Sequence, residues 1–386
     1  MVTGADLALP FFDEAHRALA AQLERWVSLT RIADDEQEPE TSCQAWVRAL
    51  ADEGLVRACV PDFFGGLRGS VDVRTLCLIR ERLAQHSALA DFAFAMQGLG
   101  SAPVTFFGSN ELQRRILPGV VEGKLVAAFA LSERAAGSDV AALEMRARPE
   151  GTQYVLDGEK TWISNAGLAD FYVVFARTGA AGSRGLSAFV VEADAAGLSV
   201  TQRIETISPH PLGSLRFDGV RVRTADRIGN EGDGFKIAMT VLDTFRSTVG
   251  AAALGFARRA LAESIAHVTQ RKLFGAPLAA LQMTQAAIAG MALDVDASAL
   301  LVYRAAWTKD NGAARVTREA AMAKWFATEA AGRVCDRAVQ LFGGRGVTRG
   351  EIVERLYRDV RALRIYEGAS EIQQVVIAKQ LLDARA

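Results

Sequence analysis

The stretch Gln153-Tyr154-Val155-Leu156-Asp157-Gly158-Glu159-Lys160-Thr161-Trp162-Ile163-Ser164 carries a two-residue, strand-like period that the flanking regions of the chain lack. From about Leu125 to Val222 this period continues in short β-rich runs: Leu125–Leu131, Gln153–Leu156, Lys160–Ile163, Tyr172–Arg177, Leu186–Val191, Leu198–Ile204 and Ser214–Val222. Asp157-Gly158 reads as a hairpin turn between two of these runs, and Asp218-Gly219 as a second tight bend. The block is therefore predicted to be a compact antiparallel sheet or small barrel.

Outward from it the period becomes that of a helix. Between Phe12 and about Leu117, Ala15, Leu19, Leu23 and Trp26, and then Trp46, Leu50 and Leu55, fall on helix faces. Pro61, Gly65, Gly66 and Gly69 mark a loop. A long helical pattern follows from Val71 to the Phe107-Gly108-Ser109 break, and Pro118 punctuates the chain beyond it. After Gly234 the pattern predicts helices over Phe235–Arg271, Leu281–Asn311, Val316–Phe342 and Ile352–Ala386, the last broken at Glu367-Gly368. Helices, then strands, then helices disfavour a doubly wound βαβ sheet. The expected fold is α+β: an N-terminal helical domain over 1–120, a middle antiparallel β-domain over 121–230 and a C-terminal four-helix bundle over 231–386. Gly343-Gly344-Arg345-Gly346 follows a helix and does not spell GxGxxG, and no GxxxxGK[ST] occurs, so neither Rossmann nor P-loop nucleotide binding is expected.

Composition narrows the function classes. The chain has 386 residues, 50% of them hydrophobic and 23% charged, with a formal net charge of −1. That balance offers no broad attraction to nucleic acid or anionic lipid. Four scattered cysteines, Cys43, Cys59, Cys77 and Cys335, form no CxxC pair and suit a reducing compartment. The four histidines are isolated, so no metal site is expected. Met1 to Pro10 carries no basic, apolar signal pattern, and no run reaches about 20 uninterrupted apolar residues. A cytoplasmic protein acting away from membranes is the expectation.

Four segments could carry chemistry, each with a plainer alternative. Ala130-Leu131-Ser132-Glu133-Arg134-Ala135-Ala136-Gly137-Ser138-Asp139 is a small-residue loop after a strand, either a solvated loop or a cradle for a polar ring or phosphate. Trp162-Ile163-Ser164-Asn165-Ala166-Gly167 puts a Trp at a strand end, as core or as a platform for an aromatic cofactor. Arg271-Lys272-Leu273-Phe274-Gly275 with Gln282 is either a charged helix end or a grip on pyrophosphate and adenine. In Arg364-Ile365-Tyr366-Glu367-Gly368-Ala369-Ser370-Glu371-Ile372-Gln373, Gly368 breaks the helix and leaves Glu367 near a helix N-terminus, as a helix-start acid or as a base.

The segments Ala128–Val140, Gly158–Thr178, Arg227–Phe235, Arg271–Gln282, Gln340–Gly346 and Leu356–Gln373, which contain these four, resemble the acyl-CoA dehydrogenase family in order and spacing over nearly the whole chain. The resemblance implies FAD as cofactor. It puts Phe129, Leu131, Ser132, Trp162, Ile163 and Ser164 along the isoalloxazine ring. Arg271, Phe274, Gln282, Gln340, Gly343 and Gly344 would reach the FAD of a neighbouring subunit, and Ala369 and Glu371 would also lie at the cofactor. It implies Glu367 as catalytic base, and Ser138, Asp243, Arg246 and Gly368 as substrate-binding. Another subgroup of the family carries its base next to the Arg246 position, where this chain has Phe245, which cannot take a proton. By the same resemblance, the Glu367 backbone N–H and a ribityl hydroxyl of FAD serve as oxyanion hole for the enolate.

The implied reaction is α,β-dehydrogenation of a saturated acyl-CoA. Electron-transferring flavoprotein is the implied acceptor and a homotetramer the implied assembly. An oxidase using O₂, a carrier-protein thioester as substrate, and a non-catalytic flavoprotein scaffold are the alternatives. The chain departs from the family at Ala369, where threonine is usual, at Arg134-Ala135, where Pro-Gly is common, and at Ala95-Met96 near the acyl pocket floor.

Overall fold

The computed structural model describes residues 7–383; the parts of the expectations above that fall on residues 1–6 and 384–386 lie outside the described residues. Helix α1 (Glu14–Leu29) starts at a capping box in which Asp13 Oδ1 accepts from the His16 backbone N–H at 3.1 Å and His16 Nδ1 accepts from the Asp13 N–H. Helix α2 (Pro39–Asp52) opens on a proline, whose missing N–H costs nothing in a first turn. The pattern expected to run unbroken from Val71 is two helices, α3 (Val73–His86) and α4 (Ala88–Phe107), because the Ser87 hydroxyl accepts from the Ala90 N–H and restarts the helix. Pro118 does not end the helical region either. It sits inside α5 (Asn110–Val121), where burial of Leu117 and Val120 outweighs the lost hydrogen bond.

The strands are β1 (Ala127–Ala130), β2 (Arg146–Glu150), β3 (Gln153–Ser164), β4 (Phe171–Arg177), β5 (Leu186–Glu192), β6 (Leu198–Arg203), β7 (Leu212–Arg223) and β8 (Arg227–Ile228). Their order in the sheet is β6-β7-β3-β2-β4-β5-β8, with β1 on β4. Pairing is antiparallel except that β1 runs parallel to β4, as does the single pairing of Arg146 with Arg177. Both Asp-Gly turns expected from sequence are absent. Asp157-Gly158 and Asp218-Gly219 face each other as an irregularity inside the continuous β3·β7 ladder, which resumes at Gly158↔Phe217. Here the Asp157 carboxylate accepts from the Gly219 N–H at 2.8 Å, and Gly158 (φ 144) leaves room that a Cβ would fill at 2.8 Å from Met145 Cγ. Strand β2, Arg-Ala-Arg-Pro-Glu, shows little apolar alternation and was not readable as a strand.

The C-terminal helices are α6 (Gly234–Gln270), α7 (Gln282–Asp310), α8 (Thr317–Phe342), α9 (Ile352–Arg361) and α10 (Ser370–Asp383), with a small hairpin of β9 (Lys272–Leu273) and β10 (Ala276–Pro277). By packing, the chain falls into two units. One holds the described parts of Met1–Thr30, Val73–Asp91 and Asp243–Ala386; the other holds Arg31–Asp72 and Phe92–Leu242. The helical unit has a core that includes Leu78, Val249, Phe256, Tyr303 and Val334. The core of the sheet unit includes Tyr154, Ile163, Tyr172, Phe189 and Leu215.

On length and composition α7 is apolar enough to cross a membrane, although Asp294 and Asp296 interrupt it. Its Met291, Val295, Ala299, Val302, Tyr303 and Ala306 lie in the core of the helical unit. All four cysteines are buried and free. Among the described residues no His, Cys, Asp or Glu cluster could hold a metal.

Candidate active site

In the sheet unit, the loop after β1 and the end of β3 are one piece of structure. The Thr161 N–H donates to Ser132 O at 3.0 Å, and Lys160 Nζ donates to Leu131 O at 2.9 Å and to Glu133 Oε1 at 2.8 Å. Glu133 also accepts from the Glu144 and Met145 N–H groups. Lys160 has no solvent exposure, and burial outweighs Glu133 in lowering its pKa to about 8. This cluster holds Leu131 and Ser132 beside Trp162, Ile163 and Ser164. Phe129 on β1 packs on Phe175 at 4.9 Å.

Trp162 is not core. It is 60% exposed and sits at φ 59, next to a register shift between Lys160 and Ile163. A left-handed backbone at a large side chain costs roughly 1–3 kcal/mol and persists only where its surroundings hold it. Among the described residues the left-handed non-glycine positions are Trp162, Asn165, Phe274 and Glu367, and all four fall inside the segments singled out from sequence. Ser138 is exposed on the same loop as Ser132, and an added Cβ at Gly137 would meet nothing within 4 Å, so the backbone there is open.

In the helical unit, Arg271, Phe274 and Gln282 surround the β9–β10 hairpin. Its two central residues, Phe274 (φ 52) and Gly275 (φ 81), both have positive φ, as a type I′ turn requires, and the Phe274 ring is 95% exposed. Gln340 is exposed near the end of α8, and Gly343 and Gly344 are exposed just beyond it. Glu371 is exposed in the first turn of α10, two residues after the half-buried Ala369.

Glu367 lies between a short 3₁₀ turn (Ala362–Arg364) and α10, at φ 52. Its Oε2 is out of reach of solvent and has no hydrogen-bond partner among the described residues. Nor does its backbone N–H donate to a backbone carbonyl there. The next residue is gripped instead: Gly368 O accepts from Lys324 Nζ at 2.7 Å and from Gln373 Nε2 at 2.8 Å. Gly368 itself is at φ 89, and a Cβ there would stand 2.5 Å from Gln373 Nε2.

Burial raises the Glu367 pKa, against the pull of Arg80, Lys324 and Arg246. Lys324 is buried, and burial is the main cause of its pKa falling to about 8. Asp243 is salt-bridged to Arg246 and accepts from Thr317 Oγ1 at 2.8 Å. Phe245, beside Arg246, is buried. The geometry thus presents a buried carboxylate with a free oxygen, able to accept a proton.

Three family descriptions match in chain order: the acyl-CoA dehydrogenase N-terminal domain over residues 13–124, the middle domain over 128–220 and the C-terminal domain over 232–382. The chain belongs to the acyl-CoA dehydrogenase family. The chain is 39% identical over 339 residues to cyclohexane-1-carbonyl-CoA dehydrogenase of Geobacter metallireducens, covering 87% of this chain and 89% of the relative. It superposes on butyryl-CoA dehydrogenase from Megasphaera elsdenii with a TM-score of 0.89 and 31% identity, covering 96% of this chain and 99% of the other. With an acyl-CoA dehydrogenase from Bacillus anthracis complexed with FAD the TM-score is 0.89 at 29% identity, covering 96% of this chain and 67% of that one.

The protein is an FAD-dependent oxidoreductase. Its residues are compatible with that cofactor: an exposed indole at a strand end, with Ser164 two residues on, Ser132 tied through its carbonyl to the Thr161 N–H, and an open backbone at Gly137. The sequence did not single out Lys160, Glu133, Arg80 or Lys324 as contributors. For Lys324 a signal existed, since it lies one turn from the buried Ala320 and Ala327 on α8. Arg80 offered none.

Proposed function

We propose that the protein α,β-dehydrogenates a saturated acyl-CoA to the trans-2-enoyl thioester, with Glu367 as the base that removes the α-proton. The observation that carries this reading is the buried, partnerless Oε2 of Glu367, held at a left-handed backbone position by the clamp on Gly368 O. An α-C–H is a feeble acid, so a carboxylate whose proton affinity is raised by burial is the better acceptor. The free backbone N–H of Glu367 is suited to receive the thioester oxygen as negative charge develops there. FAD, when bound, supplies the hydride acceptor at N5.

In this reading Phe129, Leu131, Ser132, Trp162, Ile163, Ser164, Ala369 and Glu371 hold the cofactor, with Trp162 stacking on its ring and the two serines bonding its polar edge. Arg271, Phe274, Gln282, Gln340, Gly343 and Gly344 reach the cofactor of another copy, and Ser138, Asp243, Arg246 and Gly368 position the thioester. The exposure of Phe274, together with exposed apolar side chains on α7 and α10 such as Met283, Leu293, Val375 and Leu382, supports a homotetramer that covers them. The division into domains at 1–120, 121–230 and 231–386, electron-transferring flavoprotein as acceptor and a cytoplasmic location belong to the same proposal.

The test is anaerobic mixing of the yellow protein with a panel of acyl-CoAs that includes butyryl-CoA, octanoyl-CoA and cyclohexane-1-carbonyl-CoA. Bleaching of the flavin by at least one member is expected. A flavin that stays oxidised with every member would sink the proposal.

A further inference from the structure

Strand β1 joins the sheet through β4, and the ladder partners of β3 are β2 and β7. The two segments read as cofactor-holding, Phe129–Ser132 on and after β1 and Trp162–Ser164 at the end of β3, are therefore neighbours with no ladder between them. Three bonds close the seam instead. The Thr161 N–H donates to Ser132 O at 3.0 Å and Lys160 Nζ to Leu131 O at 2.9 Å; at the far end Asn165 Nδ2 donates to Ala127 O at 2.9 Å. We propose that Asn165 is a positioning residue for the cofactor, holding the far end of this seam so that Ser132 and Ser164 stand at a fixed separation; this rests on the reading of Ser132, Trp162 and Ser164 as cofactor-holding.

Asn165 has no solvent exposure, and each of its polar atoms is engaged. Its N–H donates to Pro211 O at 3.0 Å, and its carbonyl accepts from the Leu168 and Ala169 N–H groups at 3.0 and 2.9 Å. Its Oδ1 meets the Cys43 thiol at 3.9 Å. Ala127 is held from its other side: its N–H donates to Gln97 Oε1 at 2.9 Å, and Gln97 Nε2 donates to Leu125 O at 2.9 Å. With both ends anchored, the bond between Asn165 and Ala127 fixes the spacing of the two segments. Two left-handed residues, Trp162 (φ 59) and Asn165 (φ 61), bracket Ile163 and Ser164. A backbone that turns twice in so few residues keeps its course only where its surroundings over-determine it. Asparagine tolerates the left-handed region better than most side chains and supplies an amide donor as well. Glycine would give the first without the second. Groups that grip a planar cofactor from two segments need holding to within about 0.5 Å. A merely structural Asn165 would lower stability when replaced but would leave the hold on the flavin and the flavin's surroundings as they were.

The experiment compares the FAD-loaded parent with Asn165→Gly, for which φ 61 carries no strain, and with Asn165→Asp, which keeps the shape and turns the donor into an acceptor facing a carbonyl. Release of FAD on dilution, read by flavin fluorescence, should be about tenfold faster in both, the worth of one buried hydrogen bond. The visible circular dichroism of the bound flavin should differ from the parent's in both. Tyr172→Phe is the control. It removes the hydroxyl that accepts from the Gly167 N–H at 2.9 Å, in the same loop but outside the seam, and should leave release and dichroism parental. Parental release and dichroism in the Asn165 variants, or an equal change in Tyr172→Phe, would overturn the proposal. Failure of the underlying reading looks different: Trp162→Ala and Ser164→Ala that hold FAD as tightly as the parent remove that segment from the cofactor, whatever the Asn165 variants do.

Discussion

Two buried lysines, one in each unit, meet carboxylates in opposite ways. Lys160 and Lys324 both have no solvent exposure, and burial brings both to a pKa of about 8. In the sheet unit Lys160 closes directly on Glu133, and that carboxylate also takes two backbone N–H groups, so the cluster is satisfied. In the helical unit Lys324 bonds a carbonyl one residue past the acid, and Glu367 Oε2 keeps no partner. The first arrangement stabilises a loop. The second leaves a carboxylate oxygen without a bonded cation, as the proposed base requires, because an oxygen already bonded to a cation is a poor acceptor for a substrate proton.

The comparison breaks most sharply at Glu367. Glu367→Gln keeps shape and backbone N–H while deleting the basic oxygen, so flavin reduction by acyl-CoA should fall by about 10²–10⁴-fold with FAD content unchanged, as measured by anaerobic stopped flow. Moving the base to the neighbouring helix in Phe245→Glu/Glu367→Gly should recover part of that rate. Next in size is Lys160→Met. It strands a buried carboxylate and should cost about 3–5 kcal/mol in guanidinium unfolding, with loss of FAD. Lys324→Met should cost less, about 1.5 kcal/mol, because Gln373 Nε2 still bonds Gly368 O. Equal costs for the two lysines would erase the distinction between a satisfied and an unsatisfied cluster.

A pH prediction sharpens the same point. The folded-state pKa of Glu367 lies above the ordinary glutamate value of 4.5. Below that value the group is protonated whether folded or not and contributes nothing. Above it, the ionised carboxylate is disfavoured in the fold, so the parent loses stability as pH rises from 4.5 to the folded-state pKa. Glu367→Gln should therefore melt above the parent at neutral pH, with the gap closing as pH falls toward 4.5. A gap independent of pH would trace to something other than ionisation. The smallest effect is expected at Phe274→Ser, which should shift unfolding by less than about 0.5 kcal/mol while lowering FAD retention in the assembled protein.

The order of helical, β and helical blocks was legible because periodicity is a local property, and the break at Glu367-Gly368 was legible because a glycine interrupts a helix within its own turn. Turns were less so. Asp-Gly favours positive φ, and the same preference serves a bulge as well as a reversal; at Asp157-Gly158 the continuing ladder to β7 decided for the bulge. Pro118 likewise failed as a stop signal because tertiary burial outweighed local propensity.

By itself the sequence determined the order of helical, β and helical blocks, and that a glutamate stands at the helix break with no acid at position 245. Only the tertiary structure decided what surrounds that glutamate. Arg80 meets Asp91 across 11 residues and Thr248 across 168, and Lys324 meets Gly368 across 44. No period or motif encodes such pairings. They arise when helices distant in the chain pack, and burial then turns ordinary charges into groups whose proton affinities differ from those in water.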